Sequence, residues 1–404
     1  MPLSQIATLM WIPKSIAELE ARVKSGELDE TPSLEFKREI GKSKDVAIDI
    51  AAMSTDSGVI CYGVAEDAHK KPTELSPISL VEDQAESRIA QIVSTCIAEP
   101  PEIRFKRYER TLDPPTGYLL VIVPQSPRAP HMVVVRGDCR YYGRTAKTNV
   151  LLTEGSVARL YLQRQRFDHD RDAELARVIA QASISPREEH AYIHLYVQPV
   201  VSHDKLLQGL VPHGTGANRV IGTLVRKTRA SHIFSSNFTP DFDSGTIQTT
   251  SSGWVAYMSR VPEPGTRRDP NWILDLRIRL DGSFHLFCGR AAATSSSGKE
   301  IFEDLITGIV VRSLYLAHLL YAQANYHGMI DVGLALTGLK GGLPGSNSYR
   351  DIYPNGYPDD DYRRTVRLPI LELDHNYYKE ANELLEHFFR IICPNEPTPL
   401  ANYL

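Results

Sequence analysis

Cysteine is sparse in this 404-residue sequence, and none of the five forms a CxxC pair. Cys61, Cys96, Cys139, Cys288 and Cys393 are scattered, which argues against a structural zinc site and against a disulfide scaffold. No GxxxxGK[ST] occurs. "GLKGGLPG" (residues 338–345) has the glycines but no Lys-Ser/Thr after them and no strand-to-helix setting, and "HGTGANR" is no closer, so a P-loop cradle is not expected. The thirteen histidines include no HExxH, and no serine or cysteine sits in a GxSxG elbow. The opening "MPLSQIATLMWIPKSIAELEAR" lacks a basic n-region and a small-residue cleavage site, so no signal peptide is expected. The most apolar stretch, "LITGIVVRSLYLAHLLYA", carries Arg312 and His318 and reads as a core helix, not a membrane span. Charge of one sign is also lacking: the net charge is −4, so any nucleic-acid surface must be a local patch. A cytoplasmic protein with no membrane partner is the expectation.

What is present is ordinary globular material, 42% hydrophobic and 23% charged, enough for a core in each of two domains. "IAELEARVKSGE" has helical spacing, with Pro13 placed to start it and Gly26 to end it. "SLEFKREI" alternates as a strand, and Val46, Ile50 and Met53 fall on one helical face. "GVICYGV" reads as a central strand, "DAHKKPTELSP" as a turn, and "SLVEDQAESRIAQIVSTCIA" as a helix. Three further strands follow in "EIRFKRYER", "GYLLVIVPQ" and "HMVVVRGD", then a helix opened by Thr153. The spacing assigns α+β folds to both halves: a mixed sheet with helices over 1–167, a helical linker over 168–189, and a C-terminal α+β domain over 190–404. In the second half, residues 202–270 read as loops with short strands. "NWILDLRIRLDGSFHLFCG" reads as a hairpin whose Asp281-Gly282 both need positive φ. A long helix spans about 301–325. "MIDVGLALTG" and "TVRLPILEL" read as strands, and a last helix covers about 376–392. His190 and His194 lie on one face of a strand, roughly 13 Å apart, as ordinary structural residues.

The segment that invites chemistry is "ETPSLEFKRE", residues 30–39. Glu30 and Glu35 are five apart, which in extended chain is roughly 17 Å, too far to share an ion. The chain must turn between them, and Pro32 supplies the reason, fixing its own φ and pushing Thr31 towards extended geometry. Further acids, Glu66 and Asp67, follow the "VICYGV" strand, whose end lies near Glu35 if the two strands pair. Carboxylates gathered in this way repel unless a cation joins them, and Mg²⁺ or Mn²⁺ suits an oxygen-rich set. Such an ion polarises a phosphodiester and activates water, with Lys37 near the phosphate.

The run "ETPSLEFKREIGKSKDVAIDIAAMSTDSGVICYGVAED" resembles the AlbA_2 domain of the Schlafen family: an acid, four residues, Glu-Phe-Lys, a helix, an Ala-rich turn, a hydrophobic strand, and Gly-Val before acids. Thr55, Gly58, Gly63 and Val64 match that pattern. Ser54 stands where the family has Asn, and Ser57 where it has the first Gly. "VVVRGDCRYYGRTAKTNVLLTEGSVARLY" is similar to the family's closing segment. The resemblance covers about residues 15–165. It implies a metal-dependent endoribonuclease acting on tRNA or other structured RNA, with Glu30 and Glu35 as two catalytic ligands. Glu66 or Asp67 would be the third, Lys37 would face the phosphate, and Mg²⁺ or Mn²⁺ would be the cofactor. It also implies a role in antiphage defence.

Basic residues cluster in the first half. Lys42, Lys44, Arg136, Arg140, Arg144 and Lys147 are the expected RNA contacts, and Tyr141 could stack on an unpaired base. Animal Schlafens carry two related lobes, so a homodimer would rebuild their two-sided groove by analogy. The alternative reading is a non-catalytic nucleic-acid-binding regulator whose C-terminal half is a sensor.

Overall fold

The computed structural model describes residues 11–67, 71–81, 84–135, 138–145, 147–169, 171–181, 190–200, 206–210, 216–228, 246–259, 273–296, 298–324, 326–345, 356–393 and 398–401. The chain divides into two units, one of residues 1–168 with 327–329, the other of the remainder.

The first unit opens with α1 (Ile16–Ser25), where Ser15 accepts from the Glu18 N–H and Gly26 ends the helix at φ 69°. Next comes β1 (Leu34–Lys37), running parallel to β2 (Gly58–Tyr62) with Glu35 beside Ile60 and Lys37 beside Tyr62. Parallel neighbours need a crossover, and α2 (Ser43–Met53) provides it. β3 (Val64–Glu66) pairs with β4 (Pro72–Leu75), followed by β5 (Ile78–Ser79) and α3 (Gln84–Cys96). The stretch read as a turn after Asp67 therefore holds strand residues, while residues 68–70 lie outside the described ones. β6 (Ile97–Ala98), β7 (Arg104–Leu112) and β8 (Pro115–Val123) complete a five-stranded sheet ordered β1-β2-β8-β5, with β7 also on β8, and begin a second one. That second sheet runs β11-β10-β9-β6, from β9 (Met132–Val135), β10 (Asp138–Thr145) and β11 (Thr148–Leu151). α4 (Glu154–His169) follows, with the Thr153 hydroxyl accepting from the Ser156 N–H. The core joins Val46, Ile50 and Met53 of α2, Ile89, Ile92 and Val93 of α3, and Ile60, Tyr62, Leu119 and Val121 of the sheet. Full burial of each such aliphatic side chain contributes roughly 1.5–3 kcal/mol.

The turn from α2 into β2 explains the family's paired glycines. Ser57 sits at φ 80°, in the left-handed region, and a Cβ on Gly58 would meet the Met53 Sδ at 2.7 Å. A non-glycine residue there costs about 1–2 kcal/mol, against which glycine loses some extra backbone entropy. Ser57→Gly is therefore expected to stabilise the unit by about 0.5–1 kcal/mol in equilibrium urea unfolding; a loss of stability would refute the strain argument.

The second unit begins with α5 (Arg171–Gln181) and β12 (His190–Pro199). The segment read as loops with short strands also holds a helix, α6 (Ala217–Lys227), with Ile221, Leu224 and Val225 buried at helical spacing. β13 (Thr246–Thr250), β14 (Gly253–Ser259), β15 (Leu274–Arg279) and β16 (Phe284–Ser295) follow. In the β15–β16 hairpin only Gly282 has positive φ, 91°, which corrects the two-residue turn expected there. The Asp281 carboxylate instead accepts from the Ser283 N–H and hydroxyl, making a longer side-chain-capped loop. β17 (Gly298–Ile301), α7 (Glu303–Gln323), β18 (Met329–Thr337), β19 (Leu343–Pro344), β20 (Asp361–Pro369) and α8 (Ile370–Ile392) complete the unit. "TVRLPILEL" is strand only to Pro369 and helix from Ile370; proline suits that junction because it has no N–H to give the sheet. Helix α8 breaks at Asn376, whose side chain accepts from the N–H groups of Tyr378 and Lys379 and so caps the final segment. The large sheet runs β13-β14-β15-β16-β12-β18-β20, with β17 on β16 and β19 on β17. Among the described helices α7 alone is long and apolar enough to cross a membrane, and 72% of its most apolar 18-residue window is buried within the protein.

Candidate nucleic-acid site

The bend at Pro32 is present. Thr31 and Leu34 exchange both backbone hydrogen bonds, at 3.1 and 3.2 Å, so the chain reverses between Glu30 and Glu35. Both glutamates are 2% exposed. Alternation along β1 puts Leu34 and Phe36 on one face and Glu35 and Lys37 on the other, beside Ile60 and Tyr62 and therefore towards α2.

Glu35 is held between two cations. Lys37 Nζ lies 2.5 Å from one carboxylate oxygen, and Arg144 Nη1, from β10, donates to the other at 2.5 Å. The side chains of Glu35 and Arg144 are each 3% exposed. Arg144 Nη1 also donates to Asn149 Oδ1 at 3.3 Å, and Asn149 Nδ2 donates to Asp49 Oδ1 at 2.5 Å. A continuous chain thus runs from Lys37 through Glu35, Arg144 and Asn149 to Asp49. These side chains, with Asp45, Ile48, Lys147 and Thr148, line an open pocket of about 370 Å³.

The electrostatics follow from burial. Asp49 is pushed up to about 7, first by desolvation and then by the Glu35 charge, with Lys37, Asn149 and Arg144 pulling the other way. Desolvation alone would lower Lys37, but the charges of Asp49 and Glu35, its hydrogen bond to Glu35 and the charge of Glu66 raise it above the usual lysine value. Tyr62, beside Lys37 on β2, is raised by burial and by Asp49 and Glu35. A carboxyl near 7 exchanges a proton at neutral pH, the range that acid–base chemistry requires.

Asp49 and Asn149 are absent from the sequence-derived set. Asp49 had a signal: it lies three residues after Val46 and one before Ile50, so helical spacing puts a carboxylate on the apolar face of α2. Asn149 had none, because its role depends on β11 lying beside β10 and α2.

The other expected residues are dispersed. Glu66, half-buried on β3, is close enough to Lys37 to raise it. Asp67 is exposed and accepts from the Lys71 N–H at 2.9 Å, closing the β3–β4 turn. Lys42 and Lys44 are exposed at the N-terminus of α2, where helix N–H groups favour an anion. Lys147 lines the pocket with its Nζ 3.7 Å from Asp29, and Arg140 is exposed on β10. Tyr141 and Arg144 point to opposite faces of β10, since they are three residues apart on a regular strand. Tyr141 meets Tyr161 of α4, hydroxyl to hydroxyl at 2.9 Å. Arg136 lies outside the described residues. In the other unit His194 is 3% exposed and burial lowers it to about 4.

Carboxylate oxygens are the right kind of donor for Mg²⁺ or Mn²⁺. Both Glu35 oxygens, however, are engaged by cations, and among the described residues no three His, Cys, Asp or Glu side chains group so as to hold an ion. As arranged, these residues do not form a metal cradle.

Residues 30–153 match the sequence model of the Schlafen, AlbA_2 family. The match begins at Glu30 and contains every residue of the Lys37-to-Asp49 chain. No curated protein matches the sequence. The first unit therefore carries a Schlafen AlbA_2 domain, a domain of nucleic-acid-related function.

Proposed function

We propose that this protein is an endoribonuclease of the Schlafen type, acting on tRNA or other structured RNA in the cytoplasm, in antiphage defence. One observation supports this most: a buried carboxylate, Glu35, held between Lys37 and Arg144 in an open pocket that a third cation, Lys147, also lines. A phosphodiester entering this pocket meets three cations, and an oxygen that takes a hydrogen bond from Lys37 competes with Glu35 for it. Asp49 stands at the far end of the same chain, able to hold or release a proton near neutral pH. Mg²⁺ or Mn²⁺ is proposed on the family resemblance alone: with Glu30, Glu35 and Glu66 or Asp67 as the donors that resemblance names, it requires Glu35 to give up the contact with Lys37 or Arg144 that each of its oxygens makes in this arrangement. A homodimer supplying a two-sided groove belongs to the same reading.

A second reading has its own support. Because both oxygens of Glu35 are already engaged, the domain also suits a non-catalytic RNA-binding regulator. Incubating tRNA with the protein and with Glu35→Ala, in Mn²⁺ and in EDTA, separates the two. Cleavage by the wild type at least a hundredfold above the variant is the expected result. Equal cleavage by both, or none by either, sinks the nuclease reading and leaves the binding one.

A further inference from the structure

Arg144 is the least satisfied charge in the pocket. Its side chain is 3% exposed, yet only Nη1 is engaged, by Glu35 and Asn149. Nε and Nη2 are buried, and among the described residues nothing accepts from them. Buried N–H groups are nearly always satisfied, and those of a charged fork cost more than most when they are not. Nε and Nη2 share one edge of the guanidinium plane, the edge that meets two oxygens of a phosphate side by side. Glu35 sits on Nη1, clear of that edge. The pocket lined by this side chain is open, with Lys37 and Lys147 also on its wall.

What sets the attitude of the guanidinium is also in view. Asn149 can present either end of its amide to Arg144, and only the oxygen accepts. Asp49 decides which, because its Oδ1 accepts from Asn149 Nδ2 and so turns Asn149 Oδ1 to the arginine. That gives a reason for a carboxylate on the apolar face of α2, where burial penalises it.

We propose that Arg144 is the phosphate receptor of this pocket, taking two oxygens of an RNA phosphodiester on its Nε–Nη2 edge. Asp49, acting through Asn149, is a positioning residue that aims it. The proposal rests on the nucleic-acid reading above and deepens it to one side chain; it requires no cleavage.

The test is RNA binding by the full chain, using fluorescence anisotropy with tRNA and a single-stranded oligonucleotide over a salt series, with inorganic phosphate as competitor. Arg144→Lys keeps a positive charge for Glu35 but not the two-donor edge. It is expected to weaken RNA binding about ten- to hundredfold with the salt slope kept. Asp49→Ala is expected to weaken binding about tenfold, Asp49→Asn to restore it because an amide oxygen still accepts, and Asp49→Ala to add nothing in the Arg144→Lys background. Circular dichroism melts confirm that each variant is folded. Arg144→Lys binding RNA like the wild type overturns the proposal, as do independent effects of Asp49→Ala and Arg144→Lys. Inorganic phosphate that binds through Arg144 while RNA affinity ignores it overturns the RNA assignment. Wild-type protein that binds no RNA at all instead defeats the nucleic-acid reading on which the proposal stands.

Discussion

Arg144→Ala is expected to destabilise the first unit by about 3–5 kcal/mol, a drop of about 10 °C in its melting midpoint. The size follows from burial. Glu35 and Arg144 are each 3% exposed in their side chains, so removing the arginine leaves a carboxylate in the interior with Lys37 as its remaining cation. Glu35 also raises Asp49, so a Glu35 less neutralised by cations holds Asp49 protonated more firmly and draws no help from it. Arg144→Lys is expected to lose much less, since a charge remains. The contrast is Arg110→Ala, whose pair with Glu20 is 47% and 20% exposed; it is expected to cost under about 1 kcal/mol. Urea unfolding followed by circular dichroism measures all three. Equal losses for Arg144→Ala and Arg110→Ala would show that the Glu35 pair is solvated in the working protein.

Much of what positions this site could be read along the chain, because it is local. The alternation of "LEFK", the helical spacing of Val46, Ile50 and Met53, and the bend forced at Pro32 each depend on neighbours within a few residues. The resemblance then told where the domain lies. What could not be read is the partner of Glu35. Arg144 is 109 residues away, and its guanidinium reaches β1 only because β10 and β11 pair and pack on α2. Alternation also split the "RYYGRTAK" stretch in a way composition hides: Arg144 turns inward while Tyr141 turns to α4. The two hairpin positions at Asp281-Gly282 went astray for a local reason, since an aspartate can close a loop with its own carboxylate instead of adopting positive φ. The end of the "VICYGV" strand lies beside β1, because the two strands pair. Strand pairing alone does not set where each carboxylate points: Glu66 acts on Lys37 while Asp67 closes a turn.

Asp49→Asn is expected to make the protein more stable above neutral pH and to leave it little changed in acid. Asp49 has a folded value of about 7 against 3.8 for the free side chain, raised first by desolvation and then by Glu35. Between those values the native state holds a proton that the unfolded chain has released. Stability from this group is therefore fully present below about pH 3.8 and is lost as pH rises through about 7. The loss is on the order of 4 kcal/mol, since each pKa unit corresponds to about 1.4 kcal/mol. Asparagine cannot ionise, and its amide oxygen still accepts from Asn149. Its advantage over the wild type should therefore grow from about 1 kcal/mol at pH 4.5 to on the order of 4 kcal/mol at pH 8. His131, buried and lowered to about 4 by desolvation, adds the opposite dependence, stability gained between pH 4 and 6.5, but equally in both proteins, so it cancels in the difference. A difference that is the same at pH 4.5 and pH 8 would show that Asp49 ionises normally in the fold. A difference that grows as expected would mean that the protein carries a buried carboxyl at the cost of its own stability, which is how residues kept for a site's chemistry, and not for the core's packing, behave.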